Sequence, residues 1–492
     1  MGSHTTTGHS ERSQADRTAA AASPAVARPC TIALVFAEPQ TAEHNQFSRV
    51  AFELRRTLDS AARGGECTAH DNAPDSGPPS ARTLLLAPRA LHDSAEDILI
   101  HFVDPGRQNA ELDKLIRLAL AWRVNLLPIY LPKGAKPRLG SSISFETLAR
   151  AGEDERVALV QWRSLALRYR HARRQGPSAT APVEVERGAG QAELASEILA
   201  LPAGSELVRN SELSVYAVRA EQIPLMLHEI GRQRELAFRA AGEGSGRSLD
   251  LDRHDADYVH LFAYHRARQE LVGAYRLGLV DELIQAGGIR ALYTSSLFEY
   301  APELFSQLGP TLELGRSFIC PSYQKTSRAL LWLWKGIARF VAERPKYRTL
   351  LGPVSVSAAY RDFSRELMVN VLSSAAHRHP LHRQVRPLNP FCGRSFGSGA
   401  LGDPTPLLNN TEELSAVVSE AEPDRKGLPV MVREYLKLGG KFLAFNLDPD
   451  FTDVVDGLVV VDLLQTNRRL LEFYMGDRIR AFLNVHCQAA SA

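Results

Sequence analysis

The sequence has little of what marks several specialised protein classes. Its 492 residues include five cysteines: Cys30, Cys67, Cys320, Cys392 and Cys487. They are odd in number and scattered, and form neither a disulfide framework nor a C-x-x-C metal pair. A reducing compartment is therefore expected. Excess charge of either sign is also lacking: 58 Lys and Arg face 56 Asp and Glu, for a net charge of +2. No strongly basic domain or stripe stands out, which argues against a dedicated nucleic-acid binder. Long apolar runs are missing too, since charges such as Lys335 and Arg339 interrupt them before about 18 residues. The first residues lack the charged-then-apolar order of a secretory leader, so a cytoplasmic location is the expectation.

What is present is an ordinary globular composition, with 44% hydrophobic and 23% charged residues. The length suggests two or three domains. Residues 1–28 are polar, without apolar periodicity, and read as a disordered tail. Residues 29–167 alternate strand and helix patterns: TIALVFA from Thr31, then strands near 83–87 and 97–103, a helix at 109–122 and a strand at 125–131. This suggests a small α/β domain with some parallel pairing. Residues 168–200 open with an Arg-, Gly-, Pro- and Ala-rich stretch and read as a linker. Residues 201–486 form the second domain.

That domain is organised around LELGRSFICPSYQKTSRALLWLWKGIARFV, residues 312–341. It reads as a strand carrying Glu313 and Arg316, a break at Cys320-Pro321-Ser322, and then a largely apolar helix. Lys325 and Arg328 flank the helix start, where free amides and cations suit an anionic group. The helix reads either as core packed on a sheet or as an edge dipping into a membrane surface. Cys320 has no neighbouring His to activate it as a nucleophile. Upstream, Asp250, Asp252, Asp255 and Asp257 suit a cation, a metal or simple capping. Gly242, Gly244 and Gly246 alternate, but they neither follow a strand nor open a helix, so the dinucleotide fingerprint fails. His377, His379 and His382 have no metal-ligand spacing, and no metal is expected.

Several motifs carry a resemblance. Arg234-x3-Phe238, Asp252-x2-Asp255, VGAYRL with Arg276, and ELGRSF with Glu313 and Arg316 resemble the acyl-homoserine-lactone synthase branch of the GNAT acyltransferase superfamily. More closely, IGRQRELAFRAAGEGSG, LDLDRHDADYVHLF, LLWLWKGIARF and LLGPVSVS resemble the ornithine-lipid N-acyltransferases, also known as hemolysin-like proteins. The likeness covers about residues 201–480. Earlier, ILIHFVDPGRQNAELDKLIRLALAWRVNLLPIYLP is weakly similar to the later half of a glycerol-phosphate acyltransferase domain. There His70 and Asp75 have the His-x4-Asp spacing, but within a Gly/Pro-rich loop.

The resemblance implies an α/β fold: a GNAT-like domain with a mixed, splayed central sheet and flanking helices, preceded by the small α/β domain. It implies transfer of a (3-hydroxy)fatty acyl group from acyl carrier protein to the α-amine of an amino acid, ornithine first, giving a lyso-aminolipid. The implied donor is the carrier's phosphopantetheine thioester, with no permanently bound cofactor. In this picture Glu313 accepts the amine proton beside Arg316; a structural ion pair between the two is the other reading. Arg234, Phe238, Asp252, Asp255 and Arg276 shape the substrate site; for Arg234 and Arg276 a structural salt bridge to Asp252 or Asp255 is the other reading. Lys325, Thr326, Ser327 and Arg328 hold the carrier's phosphate. The expected partners are acyl carrier protein, an amino-acid acceptor and the inner face of the cell membrane. Two other readings stay open: a bifunctional N-/O-acyltransferase, and a non-enzymatic hemolysin-like membrane protein.

Overall fold

The computed structural model describes residues 31–37, 83–86, 98–103, 108–131, 137–170, 183–324, 328–393 and 404–489. Several features read from the sequence lie outside them: the 1–28 tail, the His70–Asp75 pair, the Asp104–Arg107 turn and Lys325, Thr326 and Ser327. The chain divides into two compact units, Met1–Gly152 and Glu153–Ala492.

In the first unit the strands are β1 (Thr31–Ala37), β2 (Thr83–Leu86), β3 (Ile98–Val103), β4 (Asn125–Leu131) and β5 (Arg138–Leu139), ordered β2-β3-β1-β4-β5. β1 pairs in parallel with both β3 and β4, while β2 and β5 add antiparallel edges. The helix Gln108–Trp122 connects β3 to β4 and buries Leu112, Ile116 and Ala119. This is the crossover that a parallel pair requires.

The second unit begins at Glu153, ahead of the boundary expected at 167. The helix Glu153–Tyr169 belongs to it, because Trp162 and Ala166 enter the main core. Arg170 reinforces the attachment with a 2.6 Å ion pair to Glu420, both buried. The expected linker is likewise partly built in: Gln191–Leu199 is a helix whose Leu194 and Ile198 join the same core.

This unit's strands are β6 (Glu206–Arg209), β7 (Leu213–Arg219), β8 (Val259–His265), β9 (Glu270–Leu279), β10 (Phe298–Tyr300), β11 (Thr311–Ile319), β12 (Thr349–Val356), β13 (Val385–Pro387), β14 (Lys441–Asp448) and β15 (Val454–Asp462). Eight of them form one sheet, ordered β14-β15-β12-β11-β9-β8-β7-β6. Its described pairs are antiparallel apart from β11 with β12. The β11–β12 ladder is short: it joins Thr311, Leu312 and Glu313 to Thr349, Leu350 and Leu351 and goes no further. Both strands continue, β11 to Ile319 and β12 to Val356. The sheet therefore splays, as the resemblance implied.

Two local features mark where the ladder ends. On β11 a bulge interrupts the register between Gly315 and Phe318, with Arg316 at φ 50°. A bulge twists its strand and ends regular pairing. On β12, Gly352 lies so close to β11 that a Cβ there would sit 2.1 Å from the Leu314 carbonyl oxygen. Pro353 follows, with no N–H to give either neighbour.

The helix Arg328–Glu343 buries Leu333, Trp334, Ile337, Phe340 and Val341. It contacts β6 through β9 and the helix Arg468–Met475. Of its two readings from sequence, it is a core helix. Among the described residues, no helix is long and apolar enough to cross a membrane.

Candidate active site between the splayed strands

The gap between β11 and β12 is a cleft of ≈ 250 Å³. β11 contributes Arg316 through Ile319 to its wall, and β12 contributes Pro353, Val354 and Ser355. Its lining combines apolar side chains, among them Phe318, Ile319, Val354, Val430 and Met431, with Arg316, Tyr293, Ser355 and three carboxylates, Glu243, Asp448 and Asp456.

Arg316 reaches the cleft because a buried ion network holds it. Arg234, 1% exposed, donates from Nε to Asp250 Oδ2 at 2.8 Å and from Nη2 to Asp255 Oδ2 at 3.0 Å. Arg276, equally buried, donates to Asp252 Oδ1 at 2.6 Å. Arg316 lies 3.4 Å from Asp252 Oδ2 and 3.6 Å from Asp250 Oδ1. Three guanidinium groups thus offset three carboxylates. Burial alone would raise the Asp255 carboxyl, but Arg234 and Arg276 outweigh it and hold that group well below the usual carboxylate range. Arg316 also lies over the Tyr293 ring at 4.9 Å and the Phe451 ring at 4.4 Å. Its Nε has no hydrogen-bond partner among the described residues. The cleft is thus offered a buried cationic donor.

The aspartates at 250, 252 and 255 are therefore each committed to arginine. That removes the metal reading of this acidic loop. Among the described residues no group of three His, Cys, Asp or Glu is placed to hold a metal ion. The expected substrate residues separate into two roles. Phe238 lines the cleft. Arg234, Asp252, Asp255 and Arg276 lie behind it and fix Arg316.

Glu313 departs from expectation. It is 1% exposed and absent from the cleft lining. Oε1 accepts the Thr294 N–H at 2.8 Å, and Oε2 accepts the Tyr258 hydroxyl. The same Tyr258 oxygen accepts the Tyr293 N–H at 2.8 Å. Successive strand residues point to opposite faces, and the bulge after Gly315 then redirects the chain. Arg316 consequently enters the cleft while Glu313 stays at its root. Glu313 anchors the 293–294 segment, which presents the Tyr293 ring to Arg316, and it is not placed to take a proton from a substrate.

Other candidates resolve in similar terms. Arg328 is exposed at the start of its helix. Cys320 is 1% exposed, and burial pushes its thiol up, away from the thiolate a nucleophile needs. The glycine loop holds no external anion site, because Glu235 occupies it. That buried carboxylate accepts the Ser245 hydroxyl at 2.7 Å and the Gly246 N–H at 2.9 Å. Asp448 caps a turn, accepting the Asp450 N–H at 3.0 Å, and also faces the cleft. The sequence reading missed Glu243, Ser355 and Asp456. Glu243 lies within the AGEGSG stretch that carried part of the resemblance, but nothing in local spacing marks it as facing a cleft.

The three cleft carboxylates have elevated pKa values. Burial pushes Glu243 up to about 7, against a hydrogen bond from Ser355. Burial also raises Asp448, with Arg316 opposing. Burial, with the charges of Asp448 and Glu243, raises Asp456 well above the usual carboxylate range. Such a cluster favours a cation among the carboxylates, and Arg316 favours an anion beside it.

A mixed sheet whose one parallel pair splays into a cleft is the GNAT architecture. Residues 233–335 match the profile described as Acetyltransferase (GNAT) domain. The chain is similar to a glycine N(alpha)-acyltransferase of Bacteroides thetaiotaomicron, 27% identical over 58% of this chain and 86% of the relative. It is also similar to a glycine N(alpha)-acyltransferase of Phocaeicola vulgatus, 25% identical over 57% of this chain and 87% of the relative. An L-ornithine N(alpha)-acyltransferase of Agrobacterium fabrum is 25% identical over 50% of this chain and 78% of that protein. These relatives support a resemblance to the ornithine-lipid type of N-acyltransferase. No solved structure matches the chain significantly.

Proposed function

We propose that the second unit is an N-acyltransferase. It moves a fatty acyl group from the phosphopantetheine arm of acyl carrier protein to the α-amine of an amino acid, giving a lyso-aminolipid. The observation that carries this reading is the cleft between β11 and β12, which is lined both by apolar side chains and by groups of both charges. The apolar lining suits the acyl-pantetheine arm. Beyond Glu313, β11 has no β12 partner, so its backbone is available to an extended donor, much as a sheet edge accepts an added strand. Arg316, in the cleft wall, suits the acceptor's α-carboxylate.

Relatives are named for glycine and for ornithine, and the cleft favours the dibasic acceptor. Glycine would need one anionic and one cationic partner. Asp448 and Asp456 line the cleft with no salt bridge among the described residues, and a second ammonium, as in ornithine, would favour their charged forms.

Lipid mass spectrometry of cells expressing the full chain tests the proposal. N-acyl ornithine should appear with the wild type and fall at least tenfold with Arg316→Ala. The same lipid profile in expressing and control cells would reject the activity. N-acyl glycine alone would reject the dibasic acceptor.

A further inference from the structure

We propose that Glu243 is the catalytic base that takes the proton from the acceptor amine in the cleft between β11 and β12. The proposal rests on the acyl-transfer reading above. It adds a residue that neither the resemblance nor the relatives' names assign.

The chain presents this side chain deliberately. The helix Pro224–Ala241 ends at Gly242, whose φ of 75° is a left-handed cap. The Glu243 N–H then donates to the Phe238 carbonyl at 2.8 Å, the six-to-one closure of a Schellman cap. Two residues on, Glu235 clamps Ser245 and Gly246. Glu243 is thus held on both sides, and its side chain lines the cleft.

There Oε2 accepts the Ser355 hydroxyl at 2.8 Å. Ser355 lies on β12, the strand that diverges from β11. Among the described residues no other side chain hydrogen-bonds to Glu243, and no cation pairs with it. It differs in this from Asp250, Asp252 and Asp255, which are paired with arginine, and from Glu313, whose two oxygens are both occupied. One oxygen remains for a substrate proton. The charged and titratable groups around it are Asp456 on β15, Asp448 at the end of β14, Arg316 on β11, Tyr293 and Tyr360. Burial leaves the carboxyl titrating at about 7, where a general base is most effective near neutral pH.

The step balances without any further reagent. The neutral amine nitrogen attacks the thioester carbonyl carbon and a C–N bond forms. Glu243 takes one N–H proton as the tetrahedral oxyanion develops. The C–S bond then breaks, and the departing sulfur receives that proton from Glu243. The products are an amide and a pantetheine thiol.

The test is the pH dependence of kcat/KM for the purified full chain with acyl carrier thioester and ornithine, with thermal unfolding of each variant in parallel. Wild-type activity should rise through pH about 7. Glu243→Gln keeps the shape and a partner for Ser355. It should lose roughly 10²- to 10⁴-fold in rate and lose the limb near neutrality, leaving only the higher titration of the amine itself. Glu243→Asp should retain the limb at a reduced rate. An active wild type whose Glu243→Gln variant keeps either the rate or the limb would overturn the assignment, while the acyl-transfer reading stands. A wild type that forms no acyl amino acid would remove both.

Discussion

Replacing Glu313 separates an anchoring carboxylate from a catalytic one. Glu313→Ala deletes the acceptor of both the Thr294 N–H and the Tyr258 hydroxyl, at a position 1% exposed. Each hydrogen bond to a charged buried group contributes about 1.5–3 kcal/mol. Losing two, with a cavity left behind, should cost at least about 3–6 kcal/mol. Glu313→Gln is milder. Its amide oxygen can still accept from Thr294, but its NH₂ meets a Tyr258 oxygen that already accepts the Tyr293 N–H. One bond is lost, for about 1–2 kcal/mol. The anchor reading therefore predicts a clear loss of urea midpoint for Ala, a small one for Gln, and turnover by Gln within tenfold of wild type. The assay is urea unfolding paired with thiol release from acyl carrier thioester. A Gln variant of near wild-type stability whose rate falls a thousandfold would refute this reasoning and return Glu313 to a catalytic role.

Other outcomes follow from the same geometry. Arg234→Met leaves the buried carboxylates of Asp250 and Asp255 without their principal partner. Breaking such pairs costs about 3–5 kcal/mol, so a loss below about 1 kcal/mol in urea unfolding would contradict the network. Glu243 has a folded pKa above its unfolded value, so its contribution is fully present below pH about 4.5 and is lost as pH rises through about 7. Glu243→Gln should therefore unfold at a higher temperature than wild type at pH 8, by an amount worth about 1–2 kcal/mol given solvent access to the cleft, and differ little at pH 4.5; an equal melting temperature at pH 8 would contradict the buried charge. His260 is shifted oppositely, by burial, down to about 4, and its Nε2–H donates to the Asp255 carbonyl at 2.7 Å. Its contribution is present above the ordinary histidine pKa of about 6.5 and fades as pH falls toward 4; His260→Asn should flatten the stability profile over that window. Gly352→Val places a side chain against the Leu314 carbonyl and should cost at least about 2 kcal/mol, measured by the same unfolding.

The β11 strand was legible from its apolar pattern and the splay from the resemblance, whereas the position of the bulge at Arg316 enters with the structure. The four residues Arg234, Asp252, Asp255 and Arg276 were legible as a group, with a structural salt bridge among them as one reading. Sequence spacing does not reveal that each charge is neutralised by another from a distant segment. The direction of Glu313 was not legible because it depends on tertiary partners, Tyr258 and Thr294, that lie 55 and 19 residues away. Asp456 and Ser355 were invisible for a related reason. They sit opposite each other across β12 and β15, and no local pattern announces which face of a central strand borders a gap. The domain boundary moved because the apolar face of Glu153–Tyr169 finds its core within the second unit.

The most direct measurement is reconstitution of the full chain with purified fatty-acyl carrier protein and ornithine, followed by intact mass of carrier and product. The account predicts free pantetheine thiol and an α-N-acyl amide in equal amounts, with thiol release dependent on the amino acid and strongly reduced in Arg316→Ala. Thiol release that is independent of any amino acid, or an acyl group found on an oxygen, would contradict it.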